Sequence, residues 1–119
     1  MNNIYSYINK TVGVKIERPI GSKHPIYEFV YPVNYGCLPN TINNDGKEID
    51  VYVLKVDQPM EGEFIGRAVA VIHRIDDPDD KLIVIPEDAE GITDGEIRSA
   101  TDFQERNYTS AIIRDENAE

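Results

Sequence analysis

The chain has a single cysteine and no tryptophan, and it carries few basic residues for its length. Its 119 residues include 12 Lys and Arg against 22 Asp and Glu, a formal net charge of −10 at pH 7. Nucleic acids are bound mainly through Lys and Arg that neutralise phosphates, so we expect no nucleic-acid partner, and the same repulsion argues against anionic membranes. A small phosphate compound is not excluded, because a bound metal ion can invert the charge of a local site.

Cysteine usage and hydropathy both indicate the cytoplasm. The lone Cys37 excludes an internal disulfide framework and is typical of a reducing compartment. No apolar run approaches the length of a membrane span, and the first residues lack the basic start and apolar stretch of a signal peptide. We therefore predict a cytoplasmic protein without a membrane segment.

The residues that are present predict one domain over 1–119, with an ordinary hydrophobic fraction of 40%. Five segments are rich in strand-forming residues and are bounded by proline, glycine or acidic turns. Several carry apolar residues at both odd and even positions. This is expected for strands whose one face fills a barrel and whose other face is covered. Gly66, inside the fourth segment, predicts a bulge or a barrel corner. The five segments are residues 12–17, 26–31, 50–56, 63–75 and 81–85.

A helix is predicted after the fifth strand. Thr93 with Glu96 three residues later forms a capping-box pattern, which predicts a helix over 94–107. Residues 109–113 follow as a last strand or an extended tail. The order favours an α+β fold that is mainly β, a five-stranded β-barrel of the oligonucleotide/oligosaccharide-binding (OB) type with one C-terminal helix packed against it. The helical spacing is carried by Ile97, Ala100, Phe103 and Gln104.

Two aspartates are spaced to meet at the start of the third strand. Asp45 leaves an Asp-Gly turn and Asp50 opens the strand, so their oxygens can converge on one point. Convergent carboxylates repel unless a cation lies between them, and Mg²⁺ prefers oxygen ligands. The acidic segment 76–80 would on its own predict a solvated turn. In combination with Asp45 and Asp50 it favours a metal site.

Four motifs follow one another along the chain: 14–19 (Val-Lys-Ile-Glu-Arg-Pro), 31–36 (Tyr-Pro-Val-Asn-Tyr-Gly), 45–50 (Asp-Gly-Lys-Glu-Ile-Asp) and the run from Asp76 to Pro86. In this order they resemble the soluble (family I) inorganic pyrophosphatases over residues 12–86. The resemblance implies the same barrel with a packed helix, and Mg²⁺-dependent hydrolysis of pyrophosphate to two phosphates.

The resemblance also implies roles for individual residues. Asp77 or Asp80 could replace Asp76 or Asp79 as a ligand, because the loop around Pro78 is shorter here. The implied metal ligands are Glu17, Asp45, Asp50, Asp76 and Asp79. The implied substrate-binding residues are Lys23, Tyr35 and Lys81, and the implied catalytic residues are Lys23, Tyr35 and Glu48.

The sequence departs from the family pattern at the residue expected to activate water. Lys47 stands where the family has the middle Asp of its Asp-Gly-Asp-Pro-x-Asp motif, and an ammonium cannot accept a proton. This predicts a short, partly degenerate member with reduced activity, unless Glu48 takes over the role. The alternative is a non-catalytic relative that binds a phosphate compound or a protein partner. Apolar positions near Phe103 and Ile112 suggest a homo-oligomer.

Overall fold

The computed structural model describes residues 3–115, which form a short 3-10 helix, six strands and one α-helix. The tail at 115–119, which the sequence predicts to be frayed, lies outside the described residues from 116 onward. Among the described residues no helix is long and apolar enough to cross a membrane. The elements are the 3-10 helix Ile4–Tyr7, β1 Thr11–Arg18, β2 Asn34–Leu38, β3 Ile49–Val53, β4 Glu63–Arg74, β5 Lys81–Ile85, α1 Asp94–Glu105 and β6 Ser110–Ile113.

Five of the strands close into a barrel in the order β1-β2-β3-β5-β4, with β4 pairing back onto β1. Only the β3–β5 pairing is parallel among these described strands, and β6 adds to β4 outside the barrel. Around Gly66, β4 passes from its pairing with β1 to its pairing with β5, so the glycine lies at a corner of the barrel. The predicted five-stranded OB-type barrel with one helix is confirmed.

Two apolar cores explain why the strands carry hydrophobic residues at both parities. One fills the barrel, and alternate residues such as Val51 and Val53 point into it. The other lies between the barrel and α1, where Tyr52, Ile83 and Ile97 are fully buried. Buried apolar surface stabilises a fold by roughly 25 cal/mol per Å². The second core is the one that reaches the site described below.

The helix begins as the sequence predicts and ends two residues earlier, at Glu105. The Thr93 hydroxyl accepts the backbone N–H of Glu96, and the Glu96 carboxylate accepts that of Thr93, so the capping box is complete. Phe103 and Ile112, proposed from sequence as exposed positions for self-association, instead pack against the second core. That part of the oligomer argument is therefore wrong.

The second predicted strand, 26–31, is also wrong. This segment is a bent excursion with one isolated bridge, between Lys23 and Val30, and the strand that pairs with β1 is β2. The reason lies in Asn34, which is fully buried. Its side-chain oxygen accepts the backbone N–H groups of Ile20 and Met60, so it fixes the start of β2 to two loops.

Gly36 allows β1 and β2 to approach closely, and this gives a test of the register. A Cβ at Gly36 would overlap the carbonyl oxygen of Lys15 on β1, and neither backbone can move without breaking the pairing. We expect Gly36→Ala to lower the free energy of unfolding, measured in urea, by more than about 2 kcal/mol. The matched control is Gly95→Ala in the first turn of α1, where no neighbour lies closer than 3.9 Å. It should be neutral or stabilising by up to about 1 kcal/mol, and equal losses in both variants would contradict the register.

Candidate functional site

A cleft of about 980 Å³ opens between the barrel, the excursion after β1 and the C-terminal end of α1. Although the chain is acidic overall, basic side chains outnumber acidic ones in the lining. An anion can therefore bind here that the rest of the surface would repel. The charged lining residues are Arg18, Lys47, Arg74 and Lys81, with Glu17, Asp50 and Asp79.

At the base of the cleft, one buried ammonium holds three oxygen atoms. Lys81 Nζ donates to the hydroxyl of Tyr35 at 2.6 Å, to Asp50 Oδ2 at 2.7 Å and to Asp79 Oδ2 at 2.8 Å. The Lys81 side chain is 3% exposed. An ammonium has three N–H donors and all three are used here. A phosphate can therefore reach this nitrogen only by replacing one of these partners.

The strand register brings these side chains together. Asp50 lies opposite Lys81 in the parallel β3–β5 pairing, and Tyr35 lies opposite Tyr52 on the neighbouring pair. Side chains alternate along a strand, so Asp50 and Tyr52 face the same side, toward the core under α1. Asp79 comes two residues before Lys81, at the end of the acidic loop. The cluster is thus the polar edge of the second core.

The carboxylate pair at this edge has one oxygen left over after Lys81 is bound. Asp79 Oδ1 is buried and has no hydrogen-bond partner among the described residues. A buried oxygen of this kind normally has a partner, and the donor set of Asp79 and Asp50 is oxygen only. Mg²⁺ often binds through one or two carboxylates and completes its shell with water and substrate phosphate. Residues 3–115 contain no group of three or more Asp, Glu, His or Cys placed to hold a metal. These residues therefore do not supply a complete coordination shell by themselves.

Tyr35 stays protonated in this setting. Burial raises its pKa well above the ordinary value, and the negative charges of Asp50 and Asp79 raise it further. Its hydroxyl accepts from Lys81 and donates to Asp50. Burial also raises the pKa of Asp50, although the Lys81 ammonium opposes the rise. Tyr35 can therefore position groups and donate a hydrogen bond, but it cannot serve as a general base.

Of the residues predicted from sequence, five line the cleft: Glu17, Tyr35, Asp50, Asp79 and Lys81. Glu17 lies at the end of β1 and is exposed. Lys47, the residue that departs from the family pattern, also lines the cleft. The departure noted in the sequence therefore lies in the cleft lining, to which Lys47 adds a positive charge.

Four other predicted residues, Lys23, Asp45, Glu48 and Asp76, are not part of the lining. Lys23 is exposed on the excursion, and Asp76 is exposed in the acidic loop. Asp45 is half-buried, and its Oδ1 accepts the backbone N–H of Lys47 at 3.0 Å, which stabilises the turn. The structure does not bring Asp45 and Asp76 to the pair formed by Asp50 and Asp79, so their roles as ligands stay predictions.

Glu48 has its carboxylate engaged away from the cleft. Its Oε2 accepts the backbone N–H of Asn40 at 2.9 Å, and its Oε1 lies 3.5 Å from the Cys37 sulfur. Burial and the carboxylates of Glu17 and Glu48 raise the pKa of Cys37 to about 12, so this buried thiol stays protonated. To replace the missing catalytic Asp, Glu48 would have to leave both contacts.

The alternative ligands Asp77 and Asp80 hold the acidic loop in place. Asp80 is buried, and its carboxylate accepts the backbone N–H of Arg74 at 2.9 Å and contacts His73 Nδ1 at 3.0 Å. Asp77 Oδ1 accepts the backbone N–H of Asp79 at 2.8 Å. These bonds orient Asp79 and give His73 a partner, as expected for a structural histidine.

The sequence did not predict the contact of Arg74 with the site. Its guanidinium donates to both carboxylate oxygens of Glu105, at 3.0 and 2.6 Å, and lies 3.7 Å from the centre of the Tyr108 ring. The remaining nitrogen is 3.6 Å from Asp79 Oδ2. The available signal was Glu105 itself, which follows buried Ile97 by two helical turns and therefore needs a buried partner.

Together, the fold and the site define a small β-barrel protein whose cleft combines a half-buried carboxylate pair with basic side chains. The family model described as inorganic pyrophosphatase matches residues 3–114, and the chain belongs to this family.

Individual relatives agree with this assignment. A soluble inorganic pyrophosphatase of Oryza sativa subsp. indica is 35% identical over 102 residues, covering 82% of this chain and 43% of the rice protein. An inorganic pyrophosphatase of Rickettsia prowazekii is 32% identical over 117 residues, covering 82% of this chain and 68% of that protein. The match to the rice protein covers 43% of it, so this chain spans less than half the length of that protein. The inorganic pyrophosphatase structure from Ehrlichia chaffeensis shares the fold, with a TM-score of 0.66 at 22% identity, covering 92% of this chain and 85% of that one.

The Arg74–Glu105 pair should be the interaction whose loss costs the site most stability. Glu105→Gln keeps the shape but leaves a buried guanidinium without its carboxylate, so we expect the free energy of unfolding to fall by about 3 kcal/mol. The matched control is Asp102→Asn, which removes the exposed ion pair with Arg106 on the same helix and should cost less than about 1 kcal/mol. Urea unfolding measures both, and equal small losses would mean that Glu105 does not hold Arg74 in place.

Proposed function

We propose that this chain hydrolyses inorganic pyrophosphate to two phosphates with Mg²⁺, more slowly than relatives that carry Asp in place of Lys47. The observation that carries the proposal is the cleft, where basic side chains surround a carboxylate pair. One buried oxygen of this pair, Asp79 Oδ1, has no hydrogen-bond partner among residues 3–115. Family membership supports the choice of pyrophosphate, since the matched relatives are named for that substrate.

Asp50 and Asp79 are the residues that would hold Mg²⁺. When bound, the ion would supply a bound water of lowered pKa and neutralise charge on the leaving phosphate. The Lys81 ammonium donates a hydrogen bond to each of the two carboxylates, and its positive charge lowers the repulsion between them. Glu17, which also lines the cleft, would take a second ion that arrives with substrate. The predicted ligands Asp45 and Asp76 would have to move toward the cleft to take part.

The basic lining would hold the phosphate oxygens. Arg18, Lys47 and Arg74 contribute positive charge, and Arg74 is fixed by its two bonds to Glu105. Positioned charge of this kind stabilises the negative charge that develops on a transferring phosphoryl group. Lys23 and Lys81 are the further proposed substrate-binding residues. Lys23 would have to move from the excursion toward the cleft, and Lys81 would have to exchange one of its three hydrogen bonds for a bond to phosphate.

Removal of a proton from the attacking water is the weak step. Lys47 cannot accept a proton, the hydroxyl of Tyr35 keeps its own, and Glu48 is bonded to Asn40 and Cys37. General base catalysis typically contributes about 10²- to 10⁴-fold in rate. Its loss is the physical reason for the reduced activity that we propose.

The second candidate is a protein that binds a phosphate compound or a protein partner without turning it over. The location of Lys47 in the lining favours it, because an ammonium strengthens anion binding while it removes the base. Such a protein would be stabilised thermally by pyrophosphate without releasing phosphate.

Location and partners remain inferences from the sequence. The cytoplasm fits the lone Cys37, which is buried and protonated. A nucleic-acid partner is disfavoured by the net charge of −10. A homo-oligomer would have to use exposed apolar residues other than Phe103 and Ile112. Ile65 and Ile75 are examples of such exposed residues.

Phosphate release from pyrophosphate, with and without Mg²⁺, tests the proposal. The wild-type chain should show Mg²⁺-dependent release, and Lys47→Asp should raise kcat by at least about tenfold, because it restores a carboxylate next to the water. The matched control is Lys10→Asp, the same charge change at an exposed residue outside the cleft lining, and it should leave kcat within about twofold. No release from the wild type, with activity only in Lys47→Asp, would favour the binding protein, and no release from either would reject hydrolysis.

A further inference from the structure

The cleft has a second chemical character that pyrophosphate does not use. Its volume of about 980 Å³ is at the upper end of the range for pockets that enclose drug-sized ligands, ~300–1,000 Å³. The charged cluster around Lys81 occupies one part. The excursion between β1 and β2 forms another wall, to which His24, Tyr27, Phe29 and Tyr31 contribute rings. A ligand that fills the cleft would have both an anionic group and a flat apolar group.

Tyr27 is the most exposed of the four rings in the wall. His24 Nδ1 accepts the backbone N–H groups of both Ile26 and Tyr27, at 3.0 Å each, and this shapes the tip of the excursion. The Tyr27 ring lies 4.8 Å from the His24 ring and is nearly parallel to the Phe29 ring, with an interplanar angle of 13°. Tyr27 is 63% exposed. An exposed ring that is stacked with Phe29 and tilted against His24 is suited to stack with one more ring.

The wall is tied to the rest of the protein. Phe29 packs edge-on against Phe103 of α1, with centroids 5.4 Å apart, and against Tyr31, which is buried. Burial and the nearby guanidinium of Arg18 lower the pKa of His24, so its ring is neutral at pH 7. The four rings of the wall therefore form an uncharged stacking platform that is fixed by its packing against α1. Binding of a further ring would cost these side chains little conformational entropy.

We propose that the cleft takes phosphoanhydrides that carry a planar aromatic ring, with nucleoside diphosphates as the ligand class. The diphosphate would lie at the charged cluster, and the base would stack on Tyr27 beside His24. This inference rests on the proposed function to the extent that the same charged cluster binds the diphosphate. It adds a specificity that pyrophosphate cannot reveal, because pyrophosphate has no ring.

The test compares two ligands that share a P–C–P group and cannot be hydrolysed. Adenosine 5′-(α,β-methylene)diphosphate carries the ring, and methylenediphosphonate lacks it. We expect calorimetric titration with Mg²⁺ to give a Kd about 5- to 100-fold lower for the nucleotide analogue, the range that base–aromatic stacking supports. Adenine proton resonances should also shift upfield on binding. Equal Kd values for the two ligands would overturn the inference.

Variants at the tip of the excursion separate stacking from other causes. Tyr27→Ala should bring the ratio of the two Kd values close to one, and Tyr27→Phe, which keeps the ring, should preserve the wild-type ratio. The matched control is Glu28→Ala, an exposed neighbour outside the cleft lining, and it should also preserve the ratio. An unchanged ratio in Tyr27→Ala would assign the preference elsewhere and reject the proposed platform.

The two proposals fail in different ways. If the chain releases no phosphate from pyrophosphate but still prefers the nucleotide analogue, hydrolysis fails and the aromatic specificity stands. If it hydrolyses pyrophosphate but shows no preference between the two analogues, the proposed function stands and the aromatic specificity falls.

Discussion

The buried ammonium of Lys81 is the interaction on which the site depends. It carries three hydrogen bonds, to Asp50, Asp79 and Tyr35, and has no donor left over. A charge removed from water is costly unless its geometry and its hydrogen bonds are nearly complete. Three donors matched by three acceptors meet that requirement, and the match is possible only because β3 and β5 run parallel with Asp50 opposite Lys81. Asp79 Oδ1 has no hydrogen-bond partner in the described part of the chain after these bonds are made, and it is the oxygen to which the proposed function assigns a cation.

The contrast between the whole surface and the cleft explains how an acidic chain can bind an anion. The net charge of −10 repels extended polyanions, but a small phosphate inside the cleft would meet the side chains of Arg18, Lys47 and Arg74 in its lining. Under the proposed function, Lys47 would have opposite effects on two properties. Its charge would strengthen ground-state binding, whereas its inability to accept a proton would weaken turnover. Binding substrate and transition state equally well does not raise kcat, so we infer that a Lys at this position would shift the protein from catalysis toward binding.

Most of the fold could be predicted from local patterns, because β1, β4, β5 and α1 each carry a periodic or capping signal. The strand predicted over 26–31 failed because an aromatic run favours a strand in isolation, whereas buried Asn34 starts the real strand later. Asp50 and Asp79 could be predicted as neighbours from their motifs. The pairing of Arg74 with Glu105 could not, since it joins residues 31 positions apart through tertiary packing. The saturation of Lys81 likewise depends on a register that no local pattern specifies.

The most direct measurement of the central claim is cation binding at the carboxylate pair. Mn²⁺, titrated in the presence of methylenediphosphonate and followed by electron paramagnetic resonance, should bind the wild-type chain and bind Asp79→Asn at least about tenfold more weakly, a loss of ~1.4 kcal/mol. Asp88→Asn removes the same charge from an exposed residue outside the cleft lining, and it should bind like the wild type. If Asp88→Asn weakens Mn²⁺ binding as much as Asp79→Asn does, or if neither variant weakens it, the pair held by Lys81 is not the cation site.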